Sequence, residues 1–274
     1  MLDGLDSIPW SHLTHAYGSA GDLPELLRQL STAPAGVVGE ESPLWCLCGN
    51  IWHQGTVYEA TAYAVPFLIE LASHKSTPDR KGILELLAAI ANGSSYRAVH
   101  GNRLHEPDFE DKKSHELEWA ANAHVAVAAG VNALLAITDE ETEIRLAALH
   151  VLAQLPEHCE IVGPLLRNRL DAETESLQRA GLLLLLGKAG NLSDATLSVL
   201  TTALISGDPP QRRAAALAIG QLRPQPLPNI AREAILEAIA ADDLAGSFKG
   251  LPWDVEAEID QERMRAYLDA RMQD

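Results

Sequence analysis

A repeat with a period of about 34 residues constrains this chain more than any other feature. Arg145-Leu-Ala-Ala-Leu-His-Val-Leu-Ala-Gln-Leu155 returns as Arg179-Ala-Gly-Leu-Leu-Leu-Leu-Leu-Gly-Lys-Ala189, and again as Arg212-Arg-Ala-Ala-Ala-Leu-Ala-Ile-Gly-Gln-Leu222. The arginines that open the three copies stand 34 and 33 positions apart. A helical unit of that size cannot bury its apolar face alone, so such a period predicts helices stacked into a solenoid.

Composition agrees. Hydrophobic residues make up 47% of the 274 positions but aromatics only 5%, which favours closely packed Ala/Leu helices over strands. The net charge is −17, from 21 basic and 38 acidic residues. A surface of that sign repels phosphate backbones, so nucleic acid is not an expected partner; it attracts and steers basic proteins. Cys46, Cys48 and Cys159 do not form a disulfide framework. No signal-peptide pattern opens the chain, and the longest strongly apolar run, Leu182 to Leu186, is far short of a membrane span. The expectation is a protein of the reducing cytoplasm with no membrane partner.

Helix signals recur throughout. Ser42-Pro43, Thr77-Pro78 and Asp208-Pro209 read as N-caps followed by proline in the first turn. The spacing predicts helices over 58–73, 78–91 and 114–137, then 141–155, 158–170, 172–189, 193–205, 209–222 and 229–240. Residues 92–113 are polar and without a steady period, so a long acidic loop is expected there. Asp254 is a candidate N-cap for a last helix with a polar outer face, as a solenoid cap requires. The fold class expected is all-α: a right-handed α-solenoid of antiparallel helix pairs. A single domain over 1–274 is expected. It comprises N-terminal helical repeats (1–97), an inserted loop (98–113), the clearest repeats (114–240) and a C-terminal cap (241–274).

The repeat core resembles HEAT repeats. Each unit has an acidic lead (Asp139, Asp171, Asp208), then the arginine, then an Ala/Leu helix closing on Ala153, Gly187 or Gly220. Trp10-Ser-His-Leu-Thr-His-Ala-Tyr-Gly-Ser-Ala-Gly-Asp-Leu-Pro24 and Leu47-Cys-Gly-Asn-Ile-Trp-His-Gln-Gly-Thr-Val-Tyr-Glu-Ala-Thr61 look like bacterial HEAT-repeat proteins. The resemblance implies a structural arginine column and an interaction scaffold rather than a reaction. Some proteins of this type serve as immunity partners of secreted toxins.

Two segments depart from the period and supply the candidate partner-binding residues. Trp52, His53, Gln54 and Tyr58 form the densest polar-aromatic cluster, with Gly55 at a bend; amphipathic aromatics of this kind anchor interfaces or line a small pocket. The loop offers Arg103, His105, Glu106, Asp108, Phe109, Glu110 and Asp111. His100 and His105 lack strict metal-ligand spacing, and His115-Glu-Leu-Glu-Trp-Ala lacks the second histidine of a zinc-binding helix. No metal, cofactor or catalytic residue is expected. The leading expectation is a scaffold that binds a basic protein through its concave face and acidic loop, in its sharpest form an immunity protein that occludes a toxin domain. The alternatives are an enzyme or lyase of the same fold with a pocket around Trp52, His53 and Tyr58, and a scaffold of a larger assembly.

Overall fold

The computed structural model describes residues 1–101, 108–240, 244–255, 259 and 261–270. Arg103, His105 and Glu106 therefore lie outside the described residues. The fold is predominantly helical, and contacts group the chain into two units, Met1–Val151 and Leu152–Asp274. That division falls within the helix Thr142–Ala153.

In the first unit, two 3-10 turns (Leu5–Ser7 and Trp10–His12) lead into a short antiparallel hairpin, β1 (Thr14–His15) and β2 (Gly18–Ser19). Helices α1 (Leu23–Leu30) and α2 (Pro43–Ile51) follow. A second hairpin, β3 (Trp52–His53) and β4 (Thr56–Val57), precedes α3 (Thr61–Ser73) and α4 (Arg80–Ala91). Then come α5 (Tyr96–His100), α6 (Phe109–Ala129), α7 (Val131–Ile137) and α8 (Thr142–Ala153), the last crossing into the second unit.

Spacing explains the core. Leu23, Leu27 and Leu30 share one face of α1 and are buried, and α1 packs on α2, whose Leu47 and Ile51 are also buried. Ser42 caps α2 by accepting the Trp45 amide at 3.2 Å, and Asp79 caps α4 by accepting that of Gly82 at 3.1 Å. Helix α4 thus opens two residues after the proline of Thr77-Pro78. Trp10 donates its indole N–H to the Leu5 carbonyl at 2.8 Å and packs on Phe67.

Two expectations are corrected here. The segment read as a loop over 98–113 is helical at both described ends. Ser95 caps α5 by accepting the Ala98 amide at 2.8 Å, and α6 starts at Phe109. Glu110 and Asp111 stand in the first turn of α6, where carboxylates complement the helix dipole. The single helix expected over 114–137 breaks at Gly130, where α6 and α7 meet at 51°. A Cβ on Gly130 would lie 2.3 Å from the end of the Ile69 side chain, so any larger residue there would push that side chain of α3 aside. Among the described residues, no single helix is long and apolar enough to cross a membrane.

The second unit contains a 3-10 turn (Pro156–His158) and helices α9 (Cys159–Ala172), α10 (Ser176–Lys188), α11 (Asp194–Ser206) and α12 (Pro209–Leu222). It continues through α13 (Asn229–Ala240), α14 (Leu244–Ser247) and α15 (Gln261–Asp269). Leu182 to Leu186 are all buried, because α10 is enclosed on every side and packs above all on α12. Val255, directly after Asp254, is helical, and the final described helix is Gln261–Asp269; Met264 and Leu268 are buried, and the Tyr267 hydroxyl donates to the Pro224 carbonyl at 2.6 Å.

The arginine column has a structural cause. Arg145, Arg179 and Arg212 each stand fourth in their helix, α8, α10 and α12. Arg179 donates to the Leu170 and Glu173 carbonyls at 2.6 and 2.8 Å, satisfying acceptors that the end of α9 leaves over, and reaches Gln211 on α12 at 3.2 Å. Arg145 donates to the Glu140 carbonyl at 3.0 Å and to Thr142 at 2.9 Å. Arg80, 65 positions before Arg145, opens α4 instead of standing fourth in it. It still performs the same task, donating from Nε to the Ala72 carbonyl at the end of α3.

Candidate functional site

The cluster around residues 52–58 is a tight hairpin. Gln54 (φ 50°) and Gly55 (φ 87°) both have positive φ, as the two central residues of a type I′ turn must. Trp52 faces Val57 and His53 faces Thr56 across the ladder. The Thr56 hydroxyl donates to the His53 carbonyl at 2.6 Å, which leaves its oxygen to accept the Tyr58 hydroxyl at 2.9 Å. Burial pushes the Tyr58 phenol above its usual range, with the Thr56 hydrogen bond opposing, so at neutral pH it is a hydrogen-bond donor rather than a base. Backbone bonds between Val57 and Ser94 (3.1 Å) and between Ser94 and Gly55 (3.0 Å) tie the hairpin to the segment after α4.

The first hairpin is fastened beside it. The Ala16 amide donates to the Asn50 carbonyl at 2.9 Å, and the Ala60 amide to the Thr14 carbonyl at 3.0 Å. The amide and hydroxyl of Thr14 both reach Glu59, at 3.1 and 3.0 Å. The Tyr17 and His53 rings then meet edge to face with centroids 5.8 Å apart, a favoured aromatic geometry. The Tyr17 amide donates to His15 Nδ1 at 3.0 Å, so the neutral ring carries its proton on Nε2, which donates to Asp22 at 3.0 Å. Asn50 donates to the other Asp22 oxygen at 2.8 Å. Asp22 is thus held from two sides, and it does not cap α1.

These bonds shape a groove of 460 Å³ lined by Tyr17, Asp22, Glu25, Leu26, Glu40, Trp45, Cys46, Gly49 and Asn50. No family model, curated protein or solved structure matches the chain. Its chemistry is therefore read from this geometry alone.

Trp52, His53 and Tyr58 are half-buried parts of the hairpin and Gln54 is exposed at its tip. Phe109 packs over Gly101, where an added Cβ would lie 2.6 Å from its ring, while Asp108, Glu110 and Asp111 are exposed at the start of α6. Nearby, Glu116 is buried and accepts the Arg97 amide at 2.8 Å and the Arg97 guanidinium. Sequence reasoning missed the groove-lining Tyr17 and Trp45. Tyr17 had a signal, a tyrosine before Gly18 in a non-helical stretch, but only the second hairpin reveals what it packs against. Among the described residues, no group of three or more His, Cys, Asp or Glu is gathered to hold a metal.

All three cysteines are free. The Cys48 thiol is pushed up to about 12, first by burial and then by the nearby Glu85 and Asp79 carboxylates. A neutral thiol is a poor nucleophile, so Cys48 should resist iodoacetamide in the folded protein at about pH 8 and react once urea unfolds it. The same shift sets a sign for stability. A group whose pKa rises on folding stabilises fully below its unfolded value, 9.0, and loses that contribution as pH climbs towards 12. Urea unfolding should therefore show a decline of up to about 1.4 kcal/mol per pH unit above pH 9. The Cys48→Ala variant should lack that part of the decline. Equal slopes in the two proteins would contradict the assignment.

Proposed function

We propose that this chain is a non-catalytic binding module for a basic protein, built as a right-handed HEAT-like α-solenoid of antiparallel helix pairs. In its sharpest form it is an immunity protein of the bacterial cytoplasm that covers a toxin domain's active site. The observation that carries the reading is the aromatic, acid-rimmed groove at the paired hairpins, set in a chain of net charge −17. Exposed aromatics provide the kind of anchor that binding hot spots use. The surrounding carboxylates steer a cationic partner to them. The arginines at a fixed helical position, with Arg145 and Arg179 bonded to carbonyls just ahead of their helices, support the solenoid part.

Affinity purification from the native source, followed by kinetics on whatever is captured, tests this. One small basic protein should be recovered in stoichiometric amount. Its association rate should fall by about tenfold or more as salt rises from low to moderate strength, while dissociation changes little. A captured partner of acidic or neutral charge, or an association rate indifferent to salt, would overturn the reading.

A further inference from the structure

The groove has a composition that specifies its occupant further. Three carboxylates, Asp22, Glu25 and Glu40, line it together with Tyr17, Trp45 and Leu26, and no lysine or arginine does. Tyr17 is 70% exposed and Trp45 55%, so both rings offer open faces. They are held rather than loose: Tyr17 packs against His53 and lies over Gly49 of α2, where an added Cβ would stand 3.8 Å from its ring edge. Trp45 sits in the first turn of a helix whose N-cap bonds its own amide. Asp22 is fixed by His15 at 3.0 Å and Asn50 at 2.8 Å.

Resting on the reading of a basic protein partner, we propose that this groove receives one arginine side chain of that partner. A guanidinium is planar and weakly hydrated; it stacks on aromatic faces while its edge N–H groups fork onto carboxylates. The groove presents both surfaces at once. A lysine ammonium, compact and strongly hydrated, satisfies only the carboxylates. A volume of 460 Å³ lies within the range of sites that enclose a ligand, which suits a long side chain together with its flanking backbone. The preordered Asp22 lowers the ordering cost of binding.

Blocked tetra-arginine and tetra-lysine peptides, titrated into the full chain at low salt, provide the test. The readouts are the indole N–H resonance of Trp45 and the tryptophan fluorescence. Tetra-arginine should give a saturable shift and bind about tenfold more tightly than tetra-lysine. Trp45→Ala should remove about tenfold in affinity, and Glu25→Gln or Glu40→Gln should weaken binding several times more than Glu118→Gln, an exposed acid on α6. All four positions are exposed, and circular dichroism checks that each variant folds. Equal losses at Glu25, Glu40 and Glu118, or equal affinity for the two peptides, would overturn the groove while leaving a basic partner in place. Failure of tetra-arginine to bind the unaltered protein at low salt would overturn both.

Discussion

Replacing Arg80 by alanine should cost the first unit about 3 kcal/mol. Arg80 donates from Nε to the Ala72 carbonyl at 2.6 Å and from Nη1 and Nη2 to the two Glu140 oxygens at 2.6 and 2.9 Å. Its side chain is 8% exposed and that of Glu140 17%. Removing the cation strands a partly buried carboxylate and a helix-end carbonyl, and the penalty for stranding them exceeds the net worth of the pair. Arg80→Lys should recover little, because an ammonium cannot serve three acceptors in that planar arrangement. Replacing both partners, as in Arg80→Met with Glu140→Leu, should be far milder than Arg80→Ala. The pair also fixes a pH response. The Arg80 hydrogen bond holds the Glu140 carboxyl below its ordinary value of 4.5. Its stabilisation is therefore present above that value and lost as pH falls below it. Urea unfolding followed by tryptophan fluorescence measures this, since Trp10, Trp45, Trp52 and Trp119 all belong to the first unit. A loss below about 1 kcal/mol would place the pair among ordinary surface ion pairs and contradict the prediction.

Gly187→Val should disrupt the second unit, and Gly187→Ala should already destabilise it by about 2 kcal/mol. A Cβ on Gly187 would stand 2.5 Å from the Ala218 Cα, 2.7 Å from the Gln221 side-chain oxygen and 2.8 Å from the Ala218 Cβ. The nearest atom is backbone, so α10 and α12 must part to admit a methyl group. That cost outweighs the gain of about 1 kcal/mol in helix propensity on replacing glycine by alanine. Ala218→Gly should rescue Gly187→Ala only in part, since the Cα remains. Gly181→Ala makes a control on the same helix: its Cβ would meet the end of the Leu251 side chain at 2.8 Å, which can swing aside. Thermal unfolding of the four variants decides it, and a Gly187→Ala protein as stable as Gly181→Ala would sink the idea.

Where side-chain period and capping act locally, the sequence was a faithful guide. Helices α12 and α13 carry the bounds that their spacing predicts, 209–222 and 229–240. Asp208 caps α12 as expected, accepting the Gln211 amide at 3.2 Å. The fourth-position arginines follow directly from the repeat. The hairpins were not legible in the same way, since strands of two residues have no period to detect. They exist because Gln54, Gly55 and Gly18 adopt positive φ and because distant residues, Asn50, Ala60 and Ser94, supply backbone partners. The break at Gly130 was hidden for a similar reason: Ala and Val continue at helical spacing up to it and apolar α7 resumes directly after it, while the Ile69 side chain that presses on Gly130 comes from a distant helix. The candidate site was half visible. Trp52, His53, Gln54 and Tyr58 stood out by composition, whereas Tyr17 and Trp45 gained meaning only when two hairpins brought separate segments together.

Arg179 links three elements: it closes the end of α9, stands on α10 and reaches α12. This bears on how such an array changes length. In the proposed solenoid, loss or duplication of one whole period of 33 or 34 residues returns such an arginine to a helix start with a carbonyl ahead of it, as Arg145 and Arg179 have. A slip of any other size turns the guanidinium towards the wrong turn and leaves a carbonyl end without its donor. In that proposed arrangement, changes in copy number come in whole periods, set by the arginine contact together with the hydrophobic face that the copies share.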